Sequence, residues 1–197
     1  MTRARRLLLL PALSLALLSA CREEVAETIA PVEISAESLG HFCQMNLLEH
    51  EGPKAQVLLE GMPGDGVLFF SQVRDAIAYM RAPEQIAPIL AVYVNDMGAK
   101  GATWQDPGAG NWIAADAAFY VVGSPRPGAM GVAETIPFAS RDTAERFAMA
   151  EGGRVLTLAE ITDGMVLAPD ETPAGAVDDN DDDYESRLRA LSPPAGG

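Results

Sequence analysis

The stretch that decides the fold is Val67-Leu-Phe-Phe-Ser-Gln-Val-Arg-Asp-Ala-Ile-Ala-Tyr-Met80, in which two periodicities follow one another. Its first four residues form a short apolar run, which is typical of a buried strand. After Ser71, apolar side chains such as Val73 and Ile77 recur at helical spacing, and the Ser71 hydroxyl can cap the first turn. The stretch therefore predicts a strand that leads directly into a helix.

Similar elements surround this stretch in both halves of the chain. Apolar runs predict further strands at residues 56–60, 91–94, 117–122, 134–138 and 155–158. A second helix is predicted after Ser140 and ends at Gly152-Gly153. Three pairs correspond at one constant offset: Phe70 with Phe138, Ala76 with Ala144, and Tyr79 with Phe147. We therefore expect an α+β fold in which two repeated β-β-α-β units form one compact domain.

Candidate metal ligands begin with His41-Phe-Cys43-Gln-Met45, which has an imidazole, a thiol and a thioether at alternate positions. In an extended strand these positions project to the same face, so we expect the three side chains to converge. Thiolate and thioether together favour Cu(I), and imidazole is compatible with copper. Zinc stays open as an alternative, because it accepts histidine and thiolate ligands. His50 is the other histidine, and the alternate spacing favours His41.

Two further methionines, Met97 and Met130, follow predicted strands in the segments Asn95-Asp-Met-Gly98 and Gly128-Ala-Met-Gly131. Glycine neighbours let a loop bring a sulfur atom close without a steric penalty. Loops also carry binding residues more often than core elements do. We expect at least one of the two methionines to complete the metal site.

The first 21 residues have the pattern of a lipoprotein signal peptide. Arginines are followed by an apolar run, which ends in Leu18-Ser-Ala-Cys21. We expect a lipid on Cys21 to anchor the protein to a membrane on the periplasmic side of the cell envelope, with the outer membrane favoured. Of the two cysteines, Cys43 is then the one left, and a leftover cysteine in an exported protein suggests intermolecular pairing or a functional thiol.

The formal net charge of −14 argues against nucleic-acid binding. Much of the negative charge lies near the carboxyl terminus, where the segment 178–183 contains five aspartates. Such a composition cannot bury enough apolar surface to offset the entropy of ordering. We therefore expect a disordered acidic tail at 171–197, a compact domain at 38–170 and a flexible tether at 22–37.

Several separate motifs in one order resemble the NosL family over about residues 38–168. They are Cys43-Gln-Met45, Gly52-Pro-Lys-Ala-Gln56, Tyr93-Val-Asn-Asp-Met-Gly98, Tyr120-Val-Val-Gly-Ser124 and Gly128-Ala-Met-Gly131. The resemblance implies a lipoprotein that delivers Cu(I) for assembly of nitrous-oxide reductase, with that enzyme or its assembly machinery as partner. It also implies a fold of two β-β-α-β units. Family members commonly have Cys-Gly-Met, whereas Gln44 separates the two sulfur-bearing residues here.

Two other classes of function stay open. In a thiol redox enzyme or an organomercurial-lyase-like protein, Cys43 would be the nucleophile, although the sequence has no Cys-X-X-Cys pair. In a purely structural lipoprotein, Cys43 would be buried and inert. The sequence contains no nucleophile elbow, phosphate-binding loop or dinucleotide fingerprint, so we expect a protein that is not an enzyme.

Overall fold

The computed structural model describes residues 29–62 and 66–167. The predicted signal peptide, with its lipidation site Cys21, and the predicted acidic tail lie outside the described residues. The elements are β1 (Ala55–Leu59), β2 (Val67–Phe70), α1 (Val73–Arg81), β3 (Ile89–Asn95), β4 (Trp112–Ala114), β5 (Phe119–Val122), β6 (Ile136–Phe138), α2 (Arg141–Glu151), β7 (Arg154–Thr157) and α3 (Asp163–Val166). Within the described part of the chain, no helix has the length and apolar character needed to span a bilayer.

The strands form two antiparallel sheets. The larger sheet has the order β2-β1-β3-β4, and the smaller one has the order β6-β5-β7. Two runs of elements have the same order in the chain, namely β1-β2-α1-β3 and β5-β6-α2-β7. The predicted mixed helix-and-sheet architecture is confirmed. The short edge strand β4 was not predicted, because three residues are too few to establish a periodicity.

The strand β1 is buried along its whole length, because it lies at the centre of the larger sheet and is covered on both faces. On one face, Ala55, Val57 and Leu59 belong to the main hydrophobic core, which also receives side chains from β5. On the other face, Gln56 accepts the Val32 N–H at 2.7 Å and donates to the Val32 carbonyl at 3.0 Å. Covered faces of this kind hide the alternation of apolar and polar residues that marks a half-exposed strand.

The start of the domain differs from the prediction. Besides the Val32 contacts, the Tyr93 hydroxyl donates to the Ile29 carbonyl, and Gly110 N–H donates to the Glu33 carboxylate at 2.9 Å. Residues 29–33 therefore lie against the sheet, although the sequence pattern placed them in a flexible tether. Their hydrogen bonds with distant residues leave no signal in local composition.

The helix α2 begins and ends where the sequence pattern indicated. It follows Ser140 and ends at Gly152, whose φ of 81° favours glycine. Gly153 also has a positive φ, of 95°, and a Cβ atom there would approach Val121 Cγ1 to 2.8 Å. Both glycines are therefore required by the turn that leads from α2 into β7.

The amino terminus of α1 differs from the prediction. The helix begins at Val73 with Gln72 at the N-cap position, and no side-chain cap hydrogen bond comes from that residue. The N–H of Arg74 in the first turn instead donates to the Glu134 carboxylate at 3.0 Å. Ser71, which was expected to cap the helix, lies one residue too early, and its hydroxyl contacts another part of the molecule.

Candidate metal centre

Residues 40–45 form a tight turn and not an extended strand. Gly40 N–H donates to the Met45 carbonyl at 2.9 Å, and Gln44 N–H donates to the Gly40 carbonyl at 2.8 Å. Residues in such a turn do not alternate between two faces. The prediction that His41, Cys43 and Met45 share one strand face is therefore wrong.

Gln44 has a φ of 55°, the one positive value at a non-glycine position in the described residues. For an L-residue the left-handed region costs about 1–2 kcal/mol. The Gln44 side chain offsets part of this cost, because its Nε2 donates to the His41 carbonyl at 2.7 Å and to the Gly40 carbonyl at 3.3 Å. This hydrogen bonding explains how glutamine occupies a turn position that suits glycine.

Cys43 is a free, half-buried thiol at this turn. Its Sγ lies 3.6 Å from the Ser71 hydroxyl oxygen, directly after the end of β2. A Cβ atom on Gly40 would approach Cys43 Sγ to 2.5 Å, so the sulfur lies over the Gly40 α-carbon. The turn therefore holds the thiol in a defined position against Ser71 while leaving it partly accessible to solvent.

His41 is half-buried in a cluster of aromatic rings. Its ring centroid lies 5.2 Å from that of Phe42 and 5.6 Å from those of both Phe70 and Tyr79. The His41 N–H also donates to the Phe69 carbonyl at 2.6 Å. The imidazole of this turn residue therefore lies in surroundings that restrict its orientation.

Met45 is 43% exposed at the end of the turn. Leu39, Phe42 and Leu48 are large apolar side chains of the same segment, and they too are exposed. Together with Met45, these three residues form what we call the apolar collar, which flanks Cys43 in the sequence. Exposed apolar patches of this kind often mark interaction sites.

Met130 lies in a closed loop, whose two ends are joined by an antiparallel bridge between Pro127 and Ala133. The Met130 N–H donates to the side-chain Oε1 of Gln72 at 3.1 Å. Gln72 follows Ser71, whose hydroxyl contacts Cys43. The Met130 loop is thereby joined to the Ser71-Gln72 segment, which contacts the thiol.

Met97 has a different environment. It is half-buried and packs against the smaller hydrophobic cluster, which includes Ile136 and Phe138. Its N–H donates to the Pro137 carbonyl at 2.9 Å. These contacts explain the residue as part of the packing between the loop after β3 and strand β6.

His50 lies at a separate cavity of about 440 Å³, which Glu33, Lys54 and Trp112 also line. The Lys54 ammonium donates to three backbone carbonyls, one of them that of His50 at 2.8 Å. Burial lowers the pKa of Lys54 to about 8.

The described residues contain no group of three or more His, Cys, Asp or Glu side chains arranged around a metal position.

Glu134 is the most perturbed acid near the centre. Burial raises its pKa to about 8, although the N–H groups of Arg74 and Thr135 donate to its Oε1. Its Oε2 is buried without a hydrogen-bond partner in the described residues. Sequence reasoning missed Glu134, Gln72 and the contact of Ser71 with the thiol, because none of these residues has a pattern that reveals a contact with a distant segment.

Comparison with known proteins agrees with the motifs found in the sequence. The NosL family model matches residues 31–166. A copper-binding lipoprotein NosL from Achromobacter cycloclastes is 65% identical over 195 residues, which cover 99% of this chain and 100% of the relative. The copper-binding lipoprotein NosL from Stutzerimonas stutzeri is 32% identical over 159 residues, which cover 81% of this chain and 80% of the relative.

A solved structure supports the same assignment. The crystal structure of the copper chaperone NosL from Shewanella denitrificans is similar with a TM-score of 0.60 and 32% identity, and the match covers 68% of this chain and 96% of the other. The residues matched by the family model, 31–166, include the Cys43 turn and the Met130 loop. The resemblance is confirmed, and the chain belongs to the NosL family.

Proposed function

We propose that this protein is a Cu(I) metallochaperone that delivers copper for the assembly of nitrous-oxide reductase. Two relatives are named copper-binding lipoproteins, and a structural relative is named a copper chaperone. In this proposal the protein is a carrier and not an enzyme. A lipid on Cys21 anchors it to a membrane on the periplasmic side of the envelope, with the outer membrane favoured.

The observation that carries the proposal is the free Cys43 thiol on an accessible turn, with the Met130 loop joined to the neighbouring segment through Gln72. A thiolate is a strong ligand for Cu(I), and thioethers are neutral, soft ligands that a partner can displace. We propose Cys43, Met45 and Met130 as the principal ligands. His41 is the candidate nitrogen ligand, and Met97 is the weaker sulfur candidate because of its packing.

The apolar collar supports a role in handing the metal to a partner. Its four exposed side chains lie within five residues of the proposed ligand Cys43 in the sequence. Burial of apolar area contributes roughly 25 cal/mol per Å² to association, before the entropic costs of binding are subtracted. We propose that nitrous-oxide reductase or its assembly machinery covers this surface while Cu(I) exchanges ligands.

We further propose that the two β-β-α-β runs are equivalent units of one metal-binding domain. Phe70 and Phe138 are the last residues of β2 and β6, and both are buried. Ala76 and Ala144 are each the fourth residue of a helix, and both are fully buried. In this arrangement the Cys43 turn belongs to the first unit, whereas the Met130 loop belongs to the second.

Anaerobic titration of the lipid-free protein tests the proposed cargo. We expect stoichiometric uptake of one Cu(I) ion, with X-ray absorption that shows mainly sulfur neighbours, because the proposed ligands are one thiolate and at least one thioether. Apo nitrous-oxide reductase mixed with the loaded protein should gain copper. Absence of uptake would overturn the proposal, and retention of copper in the presence of the apo enzyme would overturn the delivery step.

The two loop methionines are distinguished by one pair of variants. We expect Met130→Leu to speed the release of Cu(I) to a chelator by roughly 10-fold, since a ligand is lost while the side-chain volume is kept. Met97→Leu is the matched control, and it should release Cu(I) at the wild-type rate because Met97 packs in a hydrophobic cluster. Release at the wild-type rate from both variants and from the double variant would show that neither loop supplies a ligand.

A further inference from the structure

We propose that Gln72 is a positioning residue that fixes the Met130 loop relative to the Cys43 turn. This inference rests on the proposed function, in which Met130 binds Cu(I). It concerns how the site is held together across the two halves of the domain, and it adds no ligand.

Gln72 lies between the two parts of the proposed metal site, which are the Cys43 turn and the Met130 loop. Its side chain is 0% exposed, and it is the N-cap residue of α1. The preceding residue, Ser71, contacts Cys43 Sγ through its hydroxyl group at 3.6 Å. The Gln72 Oε1 accepts the Met130 N–H at 3.1 Å across 58 positions in the sequence. Gln72 is therefore next in sequence to the residue that contacts the thiol, and its own side chain binds the loop that carries the thioether.

The Met130 loop has its own internal closure. Gly128 N–H donates to the Val132 carbonyl at 2.7 Å, and Gly131 N–H donates to the Gly128 carbonyl at 2.9 Å. These bonds define the shape of the loop but not its placement against the rest of the domain. The bond from Met130 to the Gln72 side chain supplies that placement.

The loop also packs tightly on the Gln72 amide. A Cβ atom on Gly128 would approach Gln72 Nε2 to 2.5 Å and Glu134 Oε2 to 2.9 Å. Glycine at this position therefore lets the loop backbone lie directly on the two buried polar side chains. A larger residue would force the loop or the amide to shift.

The choice of glutamine carries a cost that supports a positioning role. Gln72 Nε2 is buried without a hydrogen-bond partner in the part of the chain that the structure describes. A buried unsatisfied donor costs about 1–3 kcal/mol. Methionine would fill the same space without this cost, but it has no oxygen that accepts the Met130 N–H. The amide is thus explained by the contact with the loop and not by stability.

Gln72→Met is the test, and Gln56→Met is its matched control. Gln56 is also 0% exposed, and it also binds a distant segment through the Val32 N–H, but it lies on the face of β1 opposite the main hydrophobic core. Changes around a ligand that leave the ligand itself in place typically alter metal affinity 10–100-fold. We expect Gln72→Met to speed the release of Cu(I) to a chelator by roughly 10-fold, and Gln56→Met to leave the rate unchanged.

Amide hydrogen exchange of the metal-free protein separates this inference from the proposed function. We expect the Met130 amide to exchange roughly 10-fold faster in Gln72→Met, because its hydrogen bond is lost. Gly128→Ala should have the same effect, since the new methyl group of the loop displaces the Gln72 amide. This second variant tests the inference if Gln72→Met does not fold. If the Met130 amide keeps its wild-type exchange rate in the folded variants, the positioning role is overturned.

The double variant Gln72→Met with Met130→Leu completes the test. If Gln72 acts through Met130, the double variant releases Cu(I) at the rate of Met130→Leu alone. Additive effects would show that Gln72 acts by another route, and would overturn the inference. Wild-type release from Met130→Leu would instead count against Met130 as a ligand, while the exchange measurement still decides whether Gln72 positions the loop.

Discussion

Replacing Cys43 with serine is expected to weaken Cu(I) binding by more than about 100-fold, beyond the 10–100-fold typical of changes that only surround a ligand. The thiolate carries a negative charge and is soft, whereas a serine hydroxyl stays neutral and is hard. Met45→Leu should have a smaller effect, since a thioether contributes no charge. Competition with a chromophoric Cu(I) chelator under anaerobic conditions measures both affinities.

The fold should tolerate the change from Cys43 to serine. The side chain is half-buried, and its polar neighbour is the Ser71 hydroxyl, with which a serine can also form a hydrogen bond. We expect the free energy of unfolding to change by less than about 1 kcal/mol, as is usual away from the core. A larger loss of affinity in Met45→Leu than in Cys43→Ser would mean that methionine dominates the site.

The metal-free protein is expected to lose stability as the pH rises from 5 to 7.5, and Glu134→Gln should remove most of this dependence. Burial raises the pKa of Glu134 from 4.5 to about 8 in the folded protein. Within this window the folded state keeps a proton that the unfolded state has lost. Stability therefore falls with increasing pH, with the full contribution present below about 4.5 and lost as the pH passes through about 8.

The size of the change in stability follows from the pH range over which Glu134 is protonated in the folded state and ionised in the unfolded state. One pKa unit corresponds to about 1.4 kcal/mol, so the free energy of unfolding should fall by roughly 2–4 kcal/mol between pH 5 and 7.5. Lys54, whose pKa burial lowers to about 8, contributes in the opposite sense but mainly above this range. Burial also raises the pKa of Asp75, and a residual slope from that residue should persist in Glu134→Gln.

Urea unfolding at a series of pH values measures this prediction. Glu160→Gln is a suitable control, because hydrogen bonds from Thr157 lower the pKa of that exposed carboxylate. Removal of this carboxylate should change the free energy of unfolding by the same amount at every pH above 5, so that the slope there stays the same. If wild type and Glu134→Gln give parallel curves, Glu134 is ionised in the folded protein at neutral pH, and a neutral carboxyl group at the start of α1 is excluded.

Most secondary structure was predictable from local patterns. The helix α2 follows Ser140 and ends at Gly152, as residue spacing and glycine chemistry indicated. The strand β2 covers Val67–Phe70, the range of the apolar run in the sequence. The strand β4 escaped prediction because its residues acquire their conformation from pairing with β3, for example between Trp112 and Asn95.

The sequence suggested the candidate ligands but not their geometry. Cys43, Met45 and Met130 stand out as soft ligands in suggestive contexts, and the motifs around them identified the family. The alternate spacing of His41 and Cys43 nevertheless suggested a strand, whereas the backbone turns at Gln44 with a φ of 55°. A positive φ at glutamine is uncommon, so residue type alone gave little reason to expect it.

The sequence by itself determined the features that arise from neighbours in the chain. These are the periodicity of strands and helices, the glycine that ends α2, and the sulfur-bearing residues that are candidate ligands. Only the tertiary structure decided how these parts meet. Glu134 binds the first turn of α1 across 60 positions, and Gln72 binds the Met130 loop across 58. Such contacts form because buried polar groups must find partners wherever packing brings them together. Periodicity within one element cannot specify a partner in another.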